Sequence, residues 1–352
     1  MTPAEALAQW GLETPQLHPW GSGHIHDTWR VESARGRFLL QRINQLVFPD
    51  WQRLINNTLQ LHEHIGPQAR GFLPDLLLTD DGAAVAMGAD GSVWRLATWI
   101  PHRICLDRLD SARQARAIGG AFGRFQRLAA GLEANIEPAI EGFLDLGERL
   151  EQFDAALADG SRKRRSELTV QLEAIARLRD DVLRRVPGNP AVVHGDCKVN
   201  NVLLGADGAV VAVVDLDTIC VAPRALDFGD LARSATALMA EDEGRPERVA
   251  FSEPWFMALA GGFVAEIGAD RVTAEELVDG AITMGFMLGT RFAADYLLGD
   301  RYFRPQRPDQ NRDRTTAQIG LASAFRSARQ RLIDGLEDNL REASPGSGIS
   351  PG

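Results

Sequence analysis

A short segment near the middle of the chain contains the residue types that phosphoryl transfer requires. Residues 194–201 read His-Gly-Asp-Cys-Lys-Val-Asn-Asn, and an aspartate at position 215 follows two apolar runs. A carboxylate such as Asp196 can accept the proton of an attacking hydroxyl, and side-chain oxygens of Asn201 and Asp215 can hold magnesium ions that bridge nucleotide phosphates. Lys198 can offset charge on the phosphoryl group. The pattern predicts a kinase-type site, with Asp196 and Lys198 catalytic and Asn201 and Asp215 as metal ligands.

Two apolar runs around a turn predict the hairpin that would bring these groups together. Residues 202–204 and 209–214 have strand character, and Gly-Ala-Asp-Gly between them is a strong turn signal. Asn201 precedes the first strand and Asp215 follows the second. We therefore expect the two to lie within one strand spacing, roughly 5 Å. The alternative is a solvated loop before an ordinary hairpin, which the joint spacing of all four residues makes a poor explanation.

A second triplet, Asp227-Phe228-Gly229, has the letters of a kinase metal-binding motif but the wrong context. It follows Ala-Pro-Arg rather than a strand, whereas Asp215 has the position expected of the metal ligand. We interpret Asp227 and Asp230 as structural residues that cap a helix beginning near Leu231.

A glycine-containing turn near the N-terminus predicts a nucleotide-covering loop. Gly21-Ser22-Gly23 precedes a strand that begins near Asp27. Glycines in such a turn let backbone N–H groups approach phosphate oxygens. Gly21 and Gly23 are therefore candidate nucleotide-binding residues.

The strand after this loop should carry a phosphate-binding cation, yet residues 1–100 contain no lysine. Gln41 or Arg42 occupies the expected position, depending on the register, and strand alternation points them to opposite faces. Gln41 cannot supply charge, whereas Arg42 can form a fork to phosphate oxygens. The alternative is that Arg42 lies on the surface and that Lys198 and the metal ions supply the charge.

The order of elements predicts an α+β, two-lobed fold like that of protein kinases. Strand patterns at 27–32, 37–43, 83–87 and 93–100 and a helical pattern at 51–65 predict a small, mainly β lobe over residues 1–100. Helical patterns at 112–130, 147–158 and 166–185 begin a larger, mainly α lobe over 101–343, which the catalytic hairpin interrupts. The basic run 161–165 is best explained as a solvated helix junction. Gly, Ser and Pro make 344–352 a disordered tail.

Composition excludes several other classes of protein. The chain has 352 residues, of which 45% are hydrophobic, enough for two lobes with a core. The net charge of −10 argues against a nucleic-acid partner. No apolar run approaches the ~20 residues of a membrane helix, and the N-terminus does not resemble a signal peptide. Three widely separated cysteines indicate reduced thiols and a cytoplasmic location. The sequence carries no signal for an oligomeric state.

The catalytic segment, from His194 to Asp215, resembles the aminoglycoside phosphotransferase and choline kinase superfamily, which has a protein-kinase-like fold. Further segments resemble the N-acetylhexosamine 1-kinase group within it, and the resemblance covers about residues 18–335. These segments are residues 23–28, 39–44, 94–96, 122–126, 215–218, 291–303 and 311–314.

This resemblance implies ATP and Mg²⁺ as cofactors and phosphorylation of the anomeric hydroxyl of an N-acetylhexosamine. It also implies sugar contacts from His24, Asp27 and Arg291. The chain departs from the group at His26, where asparagine is usual, and at Phe286, where glutamate is usual. Two other functions stay open: a kinase of another small alcohol, such as an aminoglycoside, choline or an amino alcohol, and a non-catalytic nucleotide-binding pseudokinase.

Overall fold

The computed structural model describes residues 1–21, 25–102, 104–185 and 188–343. Within these residues the helices are α1 Pro3–Ala8, α2 Trp51–Ile65, α3 Ala112–Ala129, α4 Leu146–Asp159, α5 Arg162–Glu167, α6 Thr169–Arg184, α7 Ala225–Ala235, α8 Glu253–Ile267, α9 Ala274–Leu297 and α10 Gln310–Ala343. The strands are β1 Gln16–Pro19, β2 Asp27–Ser33, β3 Gly36–Arg42, β4 Ala86–Met87, β5 Val93–Thr98, β6 Ile104–Cys105, β7 Pro190–Val193, β8 Val202–Leu204, β9 Val210–Val213 and β10 Cys220–Pro223.

Contacts divide the chain into two compact units. The first contains Met1–Cys105, Ala129–Phe143 and Val202–Val221, and the second contains Leu106–Leu128, Leu144–Asn201 and the chain from Ala222 onward. The first unit is built on strands and the second on helices, so the predicted α+β class is confirmed. The predicted tail lies outside the described residues, and the predicted lobe boundary at residue 100 stays a prediction.

A five-stranded antiparallel sheet organises the first unit, in the order β1-β2-β3-β5-β4. Leu40, Trp94 and Leu96 point to its core face, where they pack with Leu7 and Trp10 of the N-terminal segment. The opposite face carries Gln41 and Arg95, which are direct partners across β3 and β5. The alternation therefore separates an apolar face from a polar one, as the period of a strand requires.

Strand β1 was not among the strands predicted from the sequence, the first of which began at residue 27. Its residues, Gln-Leu-His-Pro, are mostly exposed and lack an alternating apolar pattern. Pairing with β2, from Gln16↔Glu32 to Pro19↔Trp29, holds this edge strand in place. A proline is tolerated there because an edge strand has one side without ladder hydrogen bonds.

The predicted catalytic hairpin is confirmed. Val202 pairs with Val213 and Leu203 with Ala212, and β6 adds a third strand beside β8. The turn closes with the N–H of Gly205 donating to the carbonyl of Ala209. Gly208 has φ 77°, a left-handed conformation that glycine adopts without a steric penalty.

Helices fill the second unit, and α9 lies at its centre. Twenty of its 24 residues are buried, because α4, α6, α7 and α10 all pack against it. Close approach at glycines makes this packing possible: a Cβ on Gly229 of α7 would overlap the backbone carbonyl of Gly280 in α9. The helix predicted over 166–185 is in fact divided at Leu168 into α5 and α6.

No helix in the described ranges combines the length and the apolar character needed to cross a membrane.

Candidate active site

The structure brings Asp196, Lys198 and Asn201 together in one tight loop of the second unit. The N–H of Lys198 donates to the carbonyl of Asp196 at 3.0 Å, and the N–H of Asn201 donates to that of Lys198 at 3.0 Å. The Asn201 side-chain amide donates to the Asp196 carbonyl at 2.8 Å. This bond fixes the Asn201 side chain and leaves its carbonyl oxygen available to a ligand. Gly195, with φ 81°, allows the chain to enter the loop.

Asp227 holds this loop in place through hydrogen bonds to its backbone. Its carboxylate is fully buried and accepts hydrogen bonds from the N–H groups of His194 at 2.8 Å and Gly195 at 2.9 Å. The Gln126 side chain donates to it at 2.9 Å. The buried His194 ring lies edge-on to Phe122 and Phe125.

The interpretation of Asp227 as structural is therefore supported by its contacts, but the predicted helix start near Leu231 is wrong. Helix α7 begins at Ala225, so Asp227 lies in its first turn and accepts hydrogen bonds from a different segment. Gly229 made residues 225–230 look unlike a helix in the sequence, because glycine is unfavourable within helices. A glycine is needed there because α9 approaches too closely for a side chain.

Paired charges surround the loop. The ammonium of Lys198 lies 2.6 Å from one carboxylate oxygen of Asp196, and buried Arg233 lies 2.5 Å from buried Asp230. Burial raises the pKa of Asp196, but the charge and hydrogen bond of Lys198, together with other nearby positive charge such as that of Arg233, outweigh it and the pKa is lowered overall. Burial likewise opposes the charge of Lys198, but Asp196 and Asp230 raise its pKa. Burial dominates at Asp230, whose pKa is raised despite Arg233.

Asp215 occupies a constrained position in the first unit, directly after the hairpin. Its φ of 68° and ψ of 64° are left-handed, and a 3₁₀ turn, Leu216–Thr218, follows. A non-glycine residue in this region typically costs about 1–3 kcal/mol, and such residues concentrate at functional sites. The strand pairing that sets this position is the predicted one. The predicted closeness of Asp215 to Asn201 stays a prediction.

Sequence reasoning missed a buried ion pair in the first unit. The two guanidinium nitrogens of Arg95 donate to the two carboxylate oxygens of Asp217 at 2.6 and 2.8 Å. Arg95 also donates through Nε to Gln41 at 2.9 Å, and His26 lies 2.6 Å from Asp217. Two signals pointed to it: an arginine inside an otherwise apolar strand, and an aspartate two residues after the candidate metal ligand.

Of the candidate nucleotide-binding residues, Gly21 follows β1, and Gln41 and Arg42 lie at the end of β3. Gly21 is exposed with φ 80°, whereas Gly23 and His24 lie outside the described residues. Gln41 and Arg42 point to opposite faces, as predicted, because they pair with Arg95 and Trp94 respectively. Arg42 is exposed, with its guanidinium 6.0 Å from the centre of the Trp94 ring.

Two candidate substrate residues lie in different units. Asp27 is exposed and begins β2, opposite Arg42. In the second unit, the Arg291 guanidinium packs on Tyr302 and Phe303 at 5.6 and 5.4 Å, and burial lowers its pKa. Asp295, one turn later, accepts hydrogen bonds from the N–H groups of residues 301–303, which fixes these aromatic rings.

An open cavity of about 430 Å³ adjoins Lys198 in the second unit. Apolar groups, Leu238, Met239, Trp255 and Leu321 among them, form part of its wall. Its charged lining residues are Asp107, Arg108, Lys198, Arg233 and Glu241.

Three of these lining charges have a partner of opposite sign. Lys198 and Arg233 pair with the aspartates described above, and Glu241 lies 3.5 Å from Arg314. Asp107 and Arg108 are adjacent residues of opposite sign. The formal charges of the lining residues and these partners therefore add up to zero.

The candidate metal ligands offer oxygen atoms, which are the donors that magnesium prefers. No group of three or more His, Cys, Asp or Glu side chains that could hold a metal ion occurs in the described part of the chain. Magnesium usually binds through one or two protein oxygens together with substrate phosphates and water. The amide oxygen of Asn201 in the second unit and the carboxylate of Asp215 in the first unit are each donors of this type.

Comparisons with known proteins point to a phosphotransferase family. A family model described as the phosphotransferase enzyme family matches residues 16–261. An aminoglycoside phosphotransferase from Alicyclobacillus acidocaldarius is 16% identical, with a TM-score of 0.57 and 97% of each chain covered. A microcompartment-associated aminopropanol kinase is 14% identical, with a TM-score of 0.61, covering 95% of this chain and 98% of that one.

A third solved structure is spectinomycin phosphotransferase in complex with ADP and spectinomycin. It is 12% identical, with a TM-score of 0.59, and the match covers 91% of this chain and 96% of that one. At these identities the likeness shows the fold alone, and the predicted protein-kinase-like fold is confirmed.

Proposed function

The chain belongs to the phosphotransferase enzyme family, and we propose that it is an ATP- and Mg²⁺-dependent kinase that converts an N-acetylhexosamine or a related sugar to its 1-phosphate. The observation that carries this proposal is the loop that holds Asp196, Lys198 and Asn201 together, anchored by Asp227. The resemblance to the N-acetylhexosamine 1-kinase group supplies the acceptor.

Asp196 is the proposed general base. One of its oxygens is paired with Lys198, and the other, 3.4 Å from the Asn201 amide nitrogen, remains to receive a proton. As the acceptor oxygen forms its bond to the γ-phosphorus, the hydroxyl proton moves to this carboxylate and the bond to the ADP oxygen breaks. Lys198 then keeps positive charge beside the reacting groups, because its raised pKa holds its proton.

Asn201 and Asp215 are the proposed Mg²⁺ ligands. When bound, Mg²⁺ neutralises charge on the nucleotide phosphates. The fixed Asn201 side chain and the left-handed backbone of Asp215 would each present one oxygen to the ion. Gly21 and Gly23 are proposed to cover the phosphates, with Gln41 or Arg42 on the next strand.

The lowered pKa of Asp196 favours an acidic acceptor hydroxyl. A weak base is better matched to a proton that leaves easily. The anomeric hydroxyl is more acidic than a primary alcohol, because the ring oxygen withdraws charge from the developing alkoxide. This supports reaction at the 1-position rather than the 6-position.

The mostly paired charges of the cavity beside Lys198 support a neutral acceptor. A cationic amino alcohol or aminoglycoside would be favoured by unpaired carboxylates, whereas Glu241 of the lining lies near Arg314 and Asp107 is followed by an arginine. Trp255 and Leu238 offer an apolar surface for the face of a sugar ring. His24, Asp27 and Arg291 are proposed as further sugar contacts.

The proposed location is the cytoplasm, where ATP is available and thiols stay reduced. Cys197 is a buried free cysteine, which suits such a compartment.

A panel of acceptors with detection of ADP tests the proposal. It should contain neutral N-acetylhexosamines and hexoses, choline, aminopropanol and an aminoglycoside, each with and without Mg²⁺. We expect Mg²⁺-dependent turnover with a neutral sugar and a phosphorus NMR signal coupled to the single anomeric proton. Coupling to a methylene pair, or turnover with the cationic alcohols alone, would overturn the sugar assignment. Nucleotide binding without turnover on any acceptor would indicate a pseudokinase.

A further inference from the structure

The buried pair of Arg95 and Asp217 forms the centre of a five-residue network in the first unit, together with Gln41, Thr28 and His26. Arg95 is 7% exposed and Asp217 5%. The guanidinium donates two parallel hydrogen bonds to the carboxylate, and its Nε donates to Gln41. Gln41 in turn donates to Thr28 at 3.3 Å.

The hydrogen bonds of His26 fix its tautomer. The backbone N–H of Asn44 donates to Nδ1 of His26 at 3.0 Å, so Nδ1 acts as the acceptor. Nε2 therefore carries the ring proton and donates it to Asp217 at 2.6 Å. The Asp217 oxygens thus receive three donors, and the negative charge is satisfied without solvent.

This network joins three segments of the first unit. Arg95 and Gln41 lie on the central strands β5 and β3. His26 directly precedes β2, where the Asn44 side chain also donates to the carbonyl of Ile25. Asp217 lies in the 3₁₀ turn that directly follows Asp215.

A contribution to the stability of the folded protein does not by itself explain why this network is present. A buried ion pair gains little over apolar side chains of the same volume, because desolvation offsets the attraction. Its geometric effect is larger: a bidentate fork and a histidine bond fix the position of Asp217 in all directions. Two residues earlier, Asp215 has a backbone conformation that the surrounding structure must hold.

We propose that Arg95 and Asp217 are positioning residues that hold Asp215 in its metal-binding orientation, with His26 tying the segment before β2 to the same carboxylate. The inference rests on the proposed function, which gives Asp215 its role. It also accounts for the missing small-lobe lysine. The buried cation of this sheet is Arg95, which acts on the turn beside the metal ligand and not directly on the phosphates.

Calorimetric titration of Mg²⁺ with a non-hydrolysable ATP analogue tests this without an acceptor. Asp217→Asn keeps the shape of the side chain and removes its charge, and Arg95→Lys keeps the charge and removes the fork. We expect each to weaken Mg²⁺-dependent nucleotide binding about ten- to a hundredfold, as for other changes behind a metal ligand. His26→Ala, a milder change, should give a smaller loss in the same direction and covers the case in which the buried-pair variants do not fold.

Asp279→Asn is the matched control, because Asp279 is also buried and bound by an arginine fork, from Arg329, but lies between helices of the second unit. It should lower the melting temperature and leave Mg²⁺-dependent binding unchanged. Network variants that melt early but bind Mg²⁺ and nucleotide like the wild type would overturn the inference and leave the proposed function standing. A wild-type protein with neither Mg²⁺-dependent binding nor turnover would overturn the proposed function and this inference with it.

Discussion

The carboxylate of Asp196 must meet two opposite requirements: it has to be ionised before the reaction and protonated during it. Its pairing with Lys198 keeps it ionised, and its accessible oxygen must still take a proton. Asp196→Asn preserves the shape and removes the basic oxygen, so kcat should fall roughly a hundred- to ten-thousandfold. Nucleotide affinity should change little, because the proposed base faces the acceptor.

Steady-state kinetics and a nucleotide titration on the Asp196 variant separate these effects. Asp207→Asn, in the exposed turn of the hairpin, is the control and should keep wild-type kcat. Near-wild-type turnover of Asp196→Asn would exclude it as the base.

Asp215 and Asp227 are two aspartates that the sequence alone makes easy to confuse. Asp215→Ala should abolish the Mg²⁺-dependent part of nucleotide binding with a small change in melting temperature. Asp227→Ala should lower the melting temperature strongly, because it leaves buried donors of His194, Gly195 and Gln126 without an acceptor, at about 1–3 kcal/mol each. Calorimetry and melting curves on both variants check this, and the reverse pattern would mean that the two roles are exchanged.

Adjacent glycines in α3 have opposite structural requirements. A Cβ on Gly119 would overlap the carbonyl of Leu259 in α8, whereas a Cβ on Gly120 would lie 3.6 Å from its nearest neighbour, an ordinary contact. Gly119→Ala should therefore destabilise the protein by about 1–3 kcal/mol or more. Gly120→Ala should be neutral or stabilising by up to about 1 kcal/mol, because alanine favours a helix.

Denaturant unfolding of the two glycine variants makes this comparison directly. Each variant is the control for the other, since both add one methyl group to the same helix. Equal effects on the unfolding midpoint would contradict the close approach of α3 and α8.

Elements were predictable where a local pattern decides the structure. The period of α2 placed it at Trp51–Ile65, and the turn between two apolar runs gave the hairpin of β8 and β9. Strand β1 and the start of α7 were missed, because partner segments determine them: β2 holds β1, and α9 requires the glycine that made α7 look like a loop.

The candidate site also has one part that the sequence predicts and one part that it does not. The loop with Asp196 and Asn201 follows from residue types within a short segment. The network of Arg95, Asp217 and His26 joins residues up to 191 positions apart. Such a set has no local period, so a sequence shows its members without showing that they meet.

At the scale of the whole molecule, acidic groups outnumber basic ones, with 48 Asp and Glu against 38 Lys and Arg. Many of these carboxylates are used in pairs between elements. Asp181 of α6, for example, binds Arg185 at 2.8 Å and Arg326 of α10 at 2.7 Å. Protonation of such groups removes the pairs and leaves a large positive charge, so acid should unfold the protein.

The behaviour of Asp181 predicts where this loss of stability begins. Burial raises its pKa, but the hydrogen bonds and charges of Arg185 and Arg326 outweigh it, so the pKa in the folded protein is lowered. A carboxyl with a lowered folded pKa contributes stability above its unfolded pKa, about 3.9. That contribution is lost as the pH falls through the pKa of the folded protein.

Asp181→Asn should therefore lower the urea midpoint at pH 7. The difference between its urea midpoint and that of the wild type should shrink steadily below about pH 4. Urea unfolding of both proteins between pH 3 and pH 7 measures this, with each protein at pH 7 as its own reference. A difference that stays constant across this range would mean that Asp181 acts through packing alone, and the pairing of α6 with α10 would then contribute nothing to the acid limit.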